Sequence, residues 1–243
     1  MKKEHVFSIL CLMGSYEYLS IVVDKPIVLP RSLAIFEALV EIIISSEFLF
    51  IVWATVARTW LAFGLMIILS LGLGVLAGYH KGVRLFLEPV VTFVRSVPTI
   101  SVMIIFLMWF GRDVGPIYII SFVVFPILYE FVLGAFSMVS DELVDVCHLF
   151  GSRGVEKFKA LYYPHLLFQL RGGIKATLGL AFKVSVMSEV LAQTPRGIGQ
   201  ALNVEKTYLN MAGVFAWTLI LIALVWGFEQ LLQKVMKSNF FES

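Results

Sequence analysis

Residues 59–78 read TWLAFGLMIILSLGLGVLAG and contain no charged side chain. A run of this length is long enough to cross the hydrocarbon core of a bilayer as one helix. The whole chain is 59% hydrophobic and 15% charged, with a mean hydropathy of +0.91. A soluble domain cannot hide so much apolar surface from water, so the surplus must contact lipid. The sequence therefore predicts an all-α integral membrane protein.

Outward from this run, the 243 residues leave room for about six helical spans with short connections. The predicted spans are 6–23, 59–78, 86–110, 116–138, 174–192 and 211–232. Residues 32–53 are apolar but carry Glu37, Glu41 and Glu47, so we expect an amphipathic helix at the outer surface rather than a seventh span. The predicted organisation is a first span with this outer segment (1–57), a core (58–235) and a cytoplasmic tail (236–243).

The basic residues predict the orientation of the spans. With the N-terminus in the cytoplasm, the cytoplasmic side receives Lys2, Lys3, Lys81, Arg84, Arg153, Lys157, Lys159, Arg171, Lys234 and Lys237. The outside receives Lys25, Arg31, Arg58, Arg112, Arg196 and Lys206. This excess agrees with the positive-inside tendency. Both termini are then cytoplasmic, and residues 139–171 form the longest cytoplasmic loop.

Other compositional features exclude several classes of function. A net charge of +2 is too small to indicate a nucleic-acid partner. Cys11 and Cys147 lie in different predicted environments, so we expect neither a disulfide nor a metal site built on cysteine pairs. The four histidines are scattered, and no nucleophile lies beside a base. No catalytic centre is predicted.

Two short helices are predicted in the long cytoplasmic loop. The first has apolar residues at i, i+3, i+4 and i+7, namely Leu143, Val146, Cys147 and Phe150. Gly151 ends this helix, Ser152 caps the second, and Pro164 ends the second. The second has its own apolar face, formed by Val155, Phe158, Leu161 and Tyr162. Either the chain's own spans or a partner protein could cover these faces, and the spacing does not distinguish the two.

The loop also resembles a known motif. The stretch Asp145-Val146-Cys147-His148-Leu149-Phe150-Gly151-Ser152, followed by Phe158 and Tyr163-Pro164, resembles the EAA loop of ABC importer permeases. Asp145-Val146-Cys147 replaces the Glu-Ala-Ala of that motif, whereas its glycine and proline are matched. Further matching fragments follow the family's order: Arg95-Ser96-Val97-Pro98, Trp109-Phe110-Gly111, Phe125-Pro126-Ile127, Ser188-Glu189 and Arg196-Gly197-Ile198-Gly199. Together they resemble the branch that serves sulfonates, taurine, nitrate and thiamine-precursor pyrimidines.

This resemblance implies a type I ABC importer permease fold and a set of partners. Two permease chains, by default identical, would pair, and an extracytoplasmic solute-binding protein would deliver the solute. The loop at 139–165 would seat in a cytoplasmic ATPase through Asp145, Val146, Cys147, Phe150, Gly151, Ser152, Phe158 and Pro164. ATP and Mg would be bound by that ATPase, because this chain has no GxxxxGK[ST] sequence. Pro98, Gly111, Pro126, Gly197 and Gly199 are expected to be structural.

Three charged residues are candidates for the solute pathway. Lys183 lies at the centre of the predicted fifth span, where a charge costs at least ~2.5 kcal/mol and should face protein or water. Glu189 is turned about 120° away from Lys183 around the helix, so these two cannot pair directly. Lys183 either forms a buried ion pair with Glu130 or helps an anionic solute through. Arg95 either lines the pathway or snorkels towards a helix end, and the resemblance puts Glu189 near the outer mouth.

Two rival functions differ from an ABC permease in class. One is a solitary six-span carrier, or a solute-binding membrane subunit, that needs no ATPase. The other is a membrane enzyme, which the lack of a predicted catalytic centre disfavours. Dependence of transport on ATP and on the 141–164 loop separates the first rival from a permease.

Overall fold

The computed structural model describes residues 3–149 and 154–238. The regular elements of this part of the chain are all helical, in agreement with the predicted all-α class. They are α1 (Lys3–Val23), α2 (Ser32–Ile44), α3 (Phe48–Tyr79), α4 (Lys81–Ser96), α5 (Thr99–Ser137), α6 (Asp141–Leu149), α7 (Val155–Lys157), a π-helical turn (Phe158–Tyr162), α8 (Tyr163–Ala192), α9 (Ile198–Thr207) and α10 (Met211–Ser238).

Three helices in the described part of the chain are long and apolar enough to cross a membrane, namely α3, α5 and α10. The predicted count of about six spans is therefore not confirmed and stays a prediction. The predicted fifth span lies within α8, which carries Lys175, Lys183 and Glu189 and is less apolar for that reason. The predicted first span lies within α1, a helix of 21 residues.

The predicted outer segment 32–53 is divided between two helices. It turns after Ile44, where the Ser45 N–H bonds to the Glu41 carbonyl oxygen at 3.1 Å, and α3 begins at Phe48. Helix α3 then continues through Arg58, so the division predicted between residues 57 and 58 falls inside a helix. A single arginine does not interrupt a helix, because its helix propensity is high.

The predicted third span, 86–110, is interrupted near its middle. Helix α4 ends at Ser96, and Val97 and Pro98 have extended backbone before α5 begins. Helix α5 then reverses direction at Gly111, whose φ of 70° and ψ of −177° suit glycine alone. The rings of Phe106 and Phe122 lie 5.5 Å apart, whereas a continuous helix would separate them by about 24 Å. Pro98 and Gly111 therefore lie at the two breaks in this region.

The core lies where α3, α5 and α8 pack together. Helix α5 packs along both α3 and α8, and the Phe182 and Phe228 rings stack at 5.6 Å to attach α10. Pro126 is buried in α5, and beside it the Ser70 hydroxyl donates to the Phe125 carbonyl oxygen at 3.2 Å. The fully buried side chains of this core include Phe63, Met103, Ile119, Ile120, Leu128, Leu178 and Phe182.

Helices α3 and α8 run antiparallel, which defines two ends of the bundle. Thr55, early in α3, contacts Glu189, late in α8. Tyr79, at the end of α3, contacts Tyr162, which directly precedes α8. Thr55 and Tyr79 are separated by about 36 Å along α3. The end with Glu189 and the end with α6 are therefore on opposite sides of the protein.

Candidate functional site

Helix α6 carries an apolar stripe that the described part of the chain leaves partly exposed. The helix begins directly after α5, where the Ser140 carbonyl oxygen accepts the Leu143 N–H at 3.1 Å. Leu143 and Val146 are each 46% exposed and Leu149 is 86% exposed, while Cys147 is partly buried. The other described residues cover this stripe only in part. It is available to another molecule.

The segment after α6 is attached to the body of the protein by an aromatic cluster, formed by Tyr79, Phe136, Phe158 and Tyr162. The Phe136 and Tyr162 rings stack at 4.8 Å, and Tyr79 contacts each of them at 5.4 Å. Phe158 lies 6.3 Å from Tyr79, and Leu161 is buried beside the cluster. The cluster joins the end of α3, the end of α5 and the start of α8.

The two apolar faces predicted in the loop are therefore covered to different extents. Phe158, Leu161 and Tyr162 pack on the chain's own helices, but Val155 of the same predicted face is 68% exposed. Leu143 and Val146 of α6 remain partly open. Asp145 is exposed on the opposite side of α6 from Leu143. Three further residues expected at the ATPase contact, Phe150, Gly151 and Ser152, lie outside the described residues.

Pro164 does not end the second loop helix, contrary to the prediction. The helical path continues from α7 through the π-helical turn into α8, and Pro164 lies in the first turn of α8. The Tyr163 N–H bonds to the Phe158 carbonyl oxygen, five residues back, which widens the turn just before the proline. The wider turn accommodates the proline, which has no N–H to donate to the preceding turn, so the helix continues. The helical path is thus continuous from Val155 to Ala192.

At the other end of the bundle, Glu189 forms a buried polar cluster with Thr55, Arg58, Ile198 and Gly199, called here the Glu189 cluster. The Glu189 side chain is fully buried and its Oε1 forms an ion pair with Arg58. Its Oε2 accepts hydrogen bonds from Thr55 Oγ1 and the Gly199 N–H, both at 2.9 Å. Thr55 Oγ1 in turn accepts the Ile198 N–H at 2.8 Å. A buried carboxylate is tolerated only with such pairing and hydrogen bonding.

The glycines after α8 allow the chain to approach this carboxylate. A Cβ on Gly197 would lie 2.5 Å from Oε2 of Glu189, and its φ is 144°. A Cβ on Gly199 would lie 2.5 Å from the Cβ of Glu189. Side chains at positions 197 and 199 would therefore overlap Glu189, so the chain can pass this close only with glycine at both positions.

Thr55 and Arg58 were not predicted as site residues from the sequence. Arg58 was assigned outside the second span, although it lies within α3 and its side chain is 13% exposed. The sequence did contain a reason to look for this partner. A carboxylate such as that of Glu189 is costly inside a span unless a cation pairs with it. In an antiparallel arrangement, the start of the second span is level with the end of the fifth, and Arg58 is the cation there.

A cleft of about 900 Å³ opens beside the Glu189 cluster. It lies between α2, the start of α3, the α8–α9 connection, α9 and α10. Its charged side chains are mainly acidic, and Gly197 belongs both to its wall and to the contact with Glu189. The lining includes Glu41, Glu47, Arg196, Gln200, Glu205, Asn210 and Trp217.

The first alternative predicted for Lys183, a buried ion pair with Glu130, is wrong. Glu130 pairs instead with Arg95, and both side chains are about half exposed, at 48% and 53%. The packing of α4 against α5 brings Arg95 to Glu130, and no periodicity within one segment reveals that contact. Lys183 is exposed on α8 and forms no ion pair with the described residues. Its uncovered face also carries Met187 and Leu191.

The three predicted pathway residues are not brought together. Arg95 lies on α4 beside Glu130, Lys183 lies on the uncovered face of α8, and Glu189 is buried at the opposite end from α6. The different faces of Lys183 and Glu189 agree with the expected rotation between them.

Comparison with known proteins gives a consistent result. A family model described as the inner membrane component of binding-protein-dependent transport systems matches residues 70–233. The aliphatic sulfonates transport permease protein SsuC of Bacillus subtilis is 28% identical over 79% of this chain and 70% of its own length. The taurine transport system permease protein TauC of Escherichia coli is 22% identical over 75% of this chain and 68% of its own length.

A solved structure supports the same fold. The chain resembles the MetNI methionine ABC transporter in an inward-facing conformation, with a TM-score of 0.65 and 17% identity, over 80% of this chain and 99% of that one. This chain belongs to the family of inner membrane components of binding-protein-dependent transport systems. It is an ABC importer permease of that family and a multi-pass membrane protein.

Proposed function

We propose that this chain forms the solute pathway of its importer. A separate cytoplasmic ATPase binds residues 141–164 and drives transport. The observation that carries the proposal is the contrast between the two halves of this segment. Leu143 and Val146 of α6 are open, whereas Phe158 and Tyr162 are packed into the aromatic cluster. One half is thus free to bind, and the other is fixed to the body of the protein.

The arrangement favours transmission of a movement across the protein. The helical path from Val155 to Ala192 is continuous, and the aromatic cluster attaches its start to α3 and α5. The Glu189 cluster attaches its other end to α3 and α9. Because α3 and α8 are joined at both ends, a displacement of the loop by the ATPase would move them as one body. Such rigid-body motion is a common way to alternate access to a pathway.

ATP and Mg belong to the ATPase in this proposal. The chain contains no GxxxxGK[ST] sequence, which is the loop that holds phosphates and magnesium in nucleotide-binding subunits. The end of the bundle with α6 would then face the cytoplasm, with both termini on that side. The end with Glu189 would face outwards. An extracytoplasmic solute-binding protein would deliver the solute to that outer end.

A second permease chain completes the pathway, and a homodimer is the simplest arrangement. Lys183, Met187 and Leu191 form an uncovered face on α8, next to residues such as Phe182 and Ser185 that the same helix buries in the core. A lysine at this depth is costly in lipid. We place this face towards the pathway, where Lys183 adds positive potential for an anionic solute.

The solute is proposed to be a small organosulfonate such as taurine, with nitrate and pyrimidine precursors as further members of the class. Support comes from the names of SsuC and TauC, which refer to aliphatic sulfonates and taurine. The positive charge of Lys183 on an uncovered face is compatible with an anion.

The coupling proposal is tested by co-purification of the full chain with the ATPase. Val146→Asp places a charge in the open stripe of α6 and should reduce the recovered ATPase by about tenfold, because a buried unpaired charge at an interface costs more than 1.4 kcal/mol. The matched control is Leu209→Asp, since Leu209 is also exposed, at 63%, but lies at the opposite end of the bundle. Equal recovery from both variants, or uptake in vesicles that persists without ATP, would refute the coupling proposal.

A further inference from the structure

A second cleft, of about 340 Å³, lies between α4 and α5 and is not part of the features described above except at Glu130. It is close to the lower size limit of small-molecule sites. Unlike the apolar surroundings, its wall is rich in polar groups. They include Arg84, Glu88, Thr92, Tyr129, Glu130 and Ser137.

The Tyr129 hydroxyl is buried in this wall without a hydrogen-bond partner. Tyr129 is only 2% exposed, and no described residue bonds to its hydroxyl group. Its ring is held against Phe125, with the centroids 5.9 Å apart, and packs with Val91 of α4. Buried tyrosine hydroxyls ordinarily find a partner, and an exception calls for an explanation. A ligand in the cleft would supply that partner.

Two oppositely charged residues in the same cleft wall, Arg84 and Glu88, are also without an ion-pair partner among the described residues. Arg84 and Glu88 lie one turn apart on α4 and form no ion pair with each other or with another described residue. Both line the same cleft as Tyr129. A basic residue preceding an acidic one by four positions is the weaker order for a helical pair. The other two charges, Arg95 and Glu130, are already paired.

We propose that this cleft binds a zwitterion in which an ammonium group and an oxyanion are joined by a short linker. Arg84 and the Tyr129 hydroxyl would donate to the oxyanion, and Glu88 would accept from the ammonium. A simple anion would leave Glu88 unpaired and close to another negative charge. A simple cation would leave Arg84 unpaired and close to another positive charge. Repulsion between the ligand and this like charge disfavours the wrong ligand.

Two sources carry this chemistry. One is the headgroup of phosphatidylethanolamine, and the other is a free 2-aminoethyl sulfonate. The free-solute source rests on the proposed function, because it makes the cleft a part of the transport pathway. The lipid source does not depend on it.

The test uses the full chain in nanodiscs of phosphatidylglycerol. Calorimetry compares 2-aminoethanesulfonate with isethionate, which has a hydroxyl in place of the ammonium, and native mass spectrometry compares retention of phosphatidylethanolamine with that of phosphatidylglycerol. The zwitterionic member of at least one pair should bind about tenfold more tightly. Tyr129→Phe, which removes one hydroxyl, should weaken that binding about fivefold, and Glu88→Gln should abolish the discrimination.

Tyr118→Phe is the matched control, since Tyr118 is 44% exposed elsewhere on α5. Selective binding of the free compound would assign the cleft to the pathway, and selective retention of the lipid would make it a lipid site. No preference in either pair, or preferences that survive both Tyr129→Phe and Glu88→Gln, would overturn the proposal. Neither assay requires an ATPase, so this inference and the proposed function can fail independently.

Discussion

Oε2 of Glu189 on α8 accepts a hydrogen bond from Oγ1 of Thr55 on α3 at 2.9 Å, across 134 positions of sequence. The same threonine oxygen accepts the Ile198 N–H at 2.8 Å. One hydroxyl group therefore joins α3, the end of α8 and the start of α9. With Arg58 beside it, this contact fixes the end of the bundle that lies about 36 Å from the aromatic cluster.

Glu189→Gln should destabilise the protein by about 3 kcal/mol, because it leaves Arg58 largely buried without its anion. The measurement is thermal unfolding of the purified full chain in detergent. Glu41→Gln, at an exposed position on α2, should leave the unfolding temperature unchanged. If the two variants unfold alike, the Glu189 cluster does not stabilise the bundle.

Gly199→Ala should cost about 2 kcal/mol, because the new Cβ would overlap Glu189 and the Val186 carbonyl oxygen. Gly64→Ala is the matched control within α3, where a Cβ meets nothing within 4 Å. That control should be neutral, or more stable by up to about 1 kcal/mol. The check is the unfolding temperature of both variants, and a tolerated alanine at 199 would contradict the described packing.

Phe136→Ala should uncouple ATP hydrolysis from uptake while the ATPase still binds. The change removes the ring stacked on Tyr162 at 4.8 Å and so loosens the attachment of the coupling segment. We expect uptake per ATP hydrolysed to fall about tenfold if the lost ring contact is worth about 1.4 kcal/mol. Phe168→Ala, at a position that is 69% exposed, serves as the control. Equal ratios in reconstituted vesicles would show that the aromatic cluster does not transmit the movement.

Lys183→Met should slow the uptake of an anionic solute and leave assembly with the ATPase intact. The substitution keeps an exposed, unbranched side chain of similar length but removes the positive charge from the uncovered face of α8. Lys206→Met, at an exposed position on α9, is the control. Uptake is measured in vesicles with the binding protein present, and a normal rate for Lys183→Met would end the proposal that this charge assists an anion.

The sequence predicted those features that a single segment determines. The uncharged run 59–78 lies within α3, and the spacing of Leu143, Val146 and Cys147 predicted a helix where α6 occurs. The turn at Gly111, where φ is positive, falls between the predicted third and fourth spans, whereas the break at Pro98 falls inside the predicted third span. Such effects act over a few residues and can be inferred without knowing the tertiary structure.

Features that depend on neighbouring helices could not be predicted in this way. Glu130 was assigned to Lys183 because both lie in predicted spans, but α4 brings Arg95 closer. Pro164 was expected to end a helix, but a π-helical turn accommodates it and the helix continues. The partnership of Arg58 with Glu189 depends on the antiparallel packing of α3 and α8.

The central claim is that residues 141–164, which begin with α6, lie on the cytoplasmic side of the membrane, where the ATPase binds ATP. Cys147, which is partly buried on α6, can test it directly once Cys11 is replaced by Ser. A membrane-impermeant maleimide is applied to intact spheroplasts and to inverted vesicles that carry this variant. Labelling in inverted vesicles alone is the predicted result. Labelling in intact spheroplasts alone would place the coupling segment outside and contradict the account.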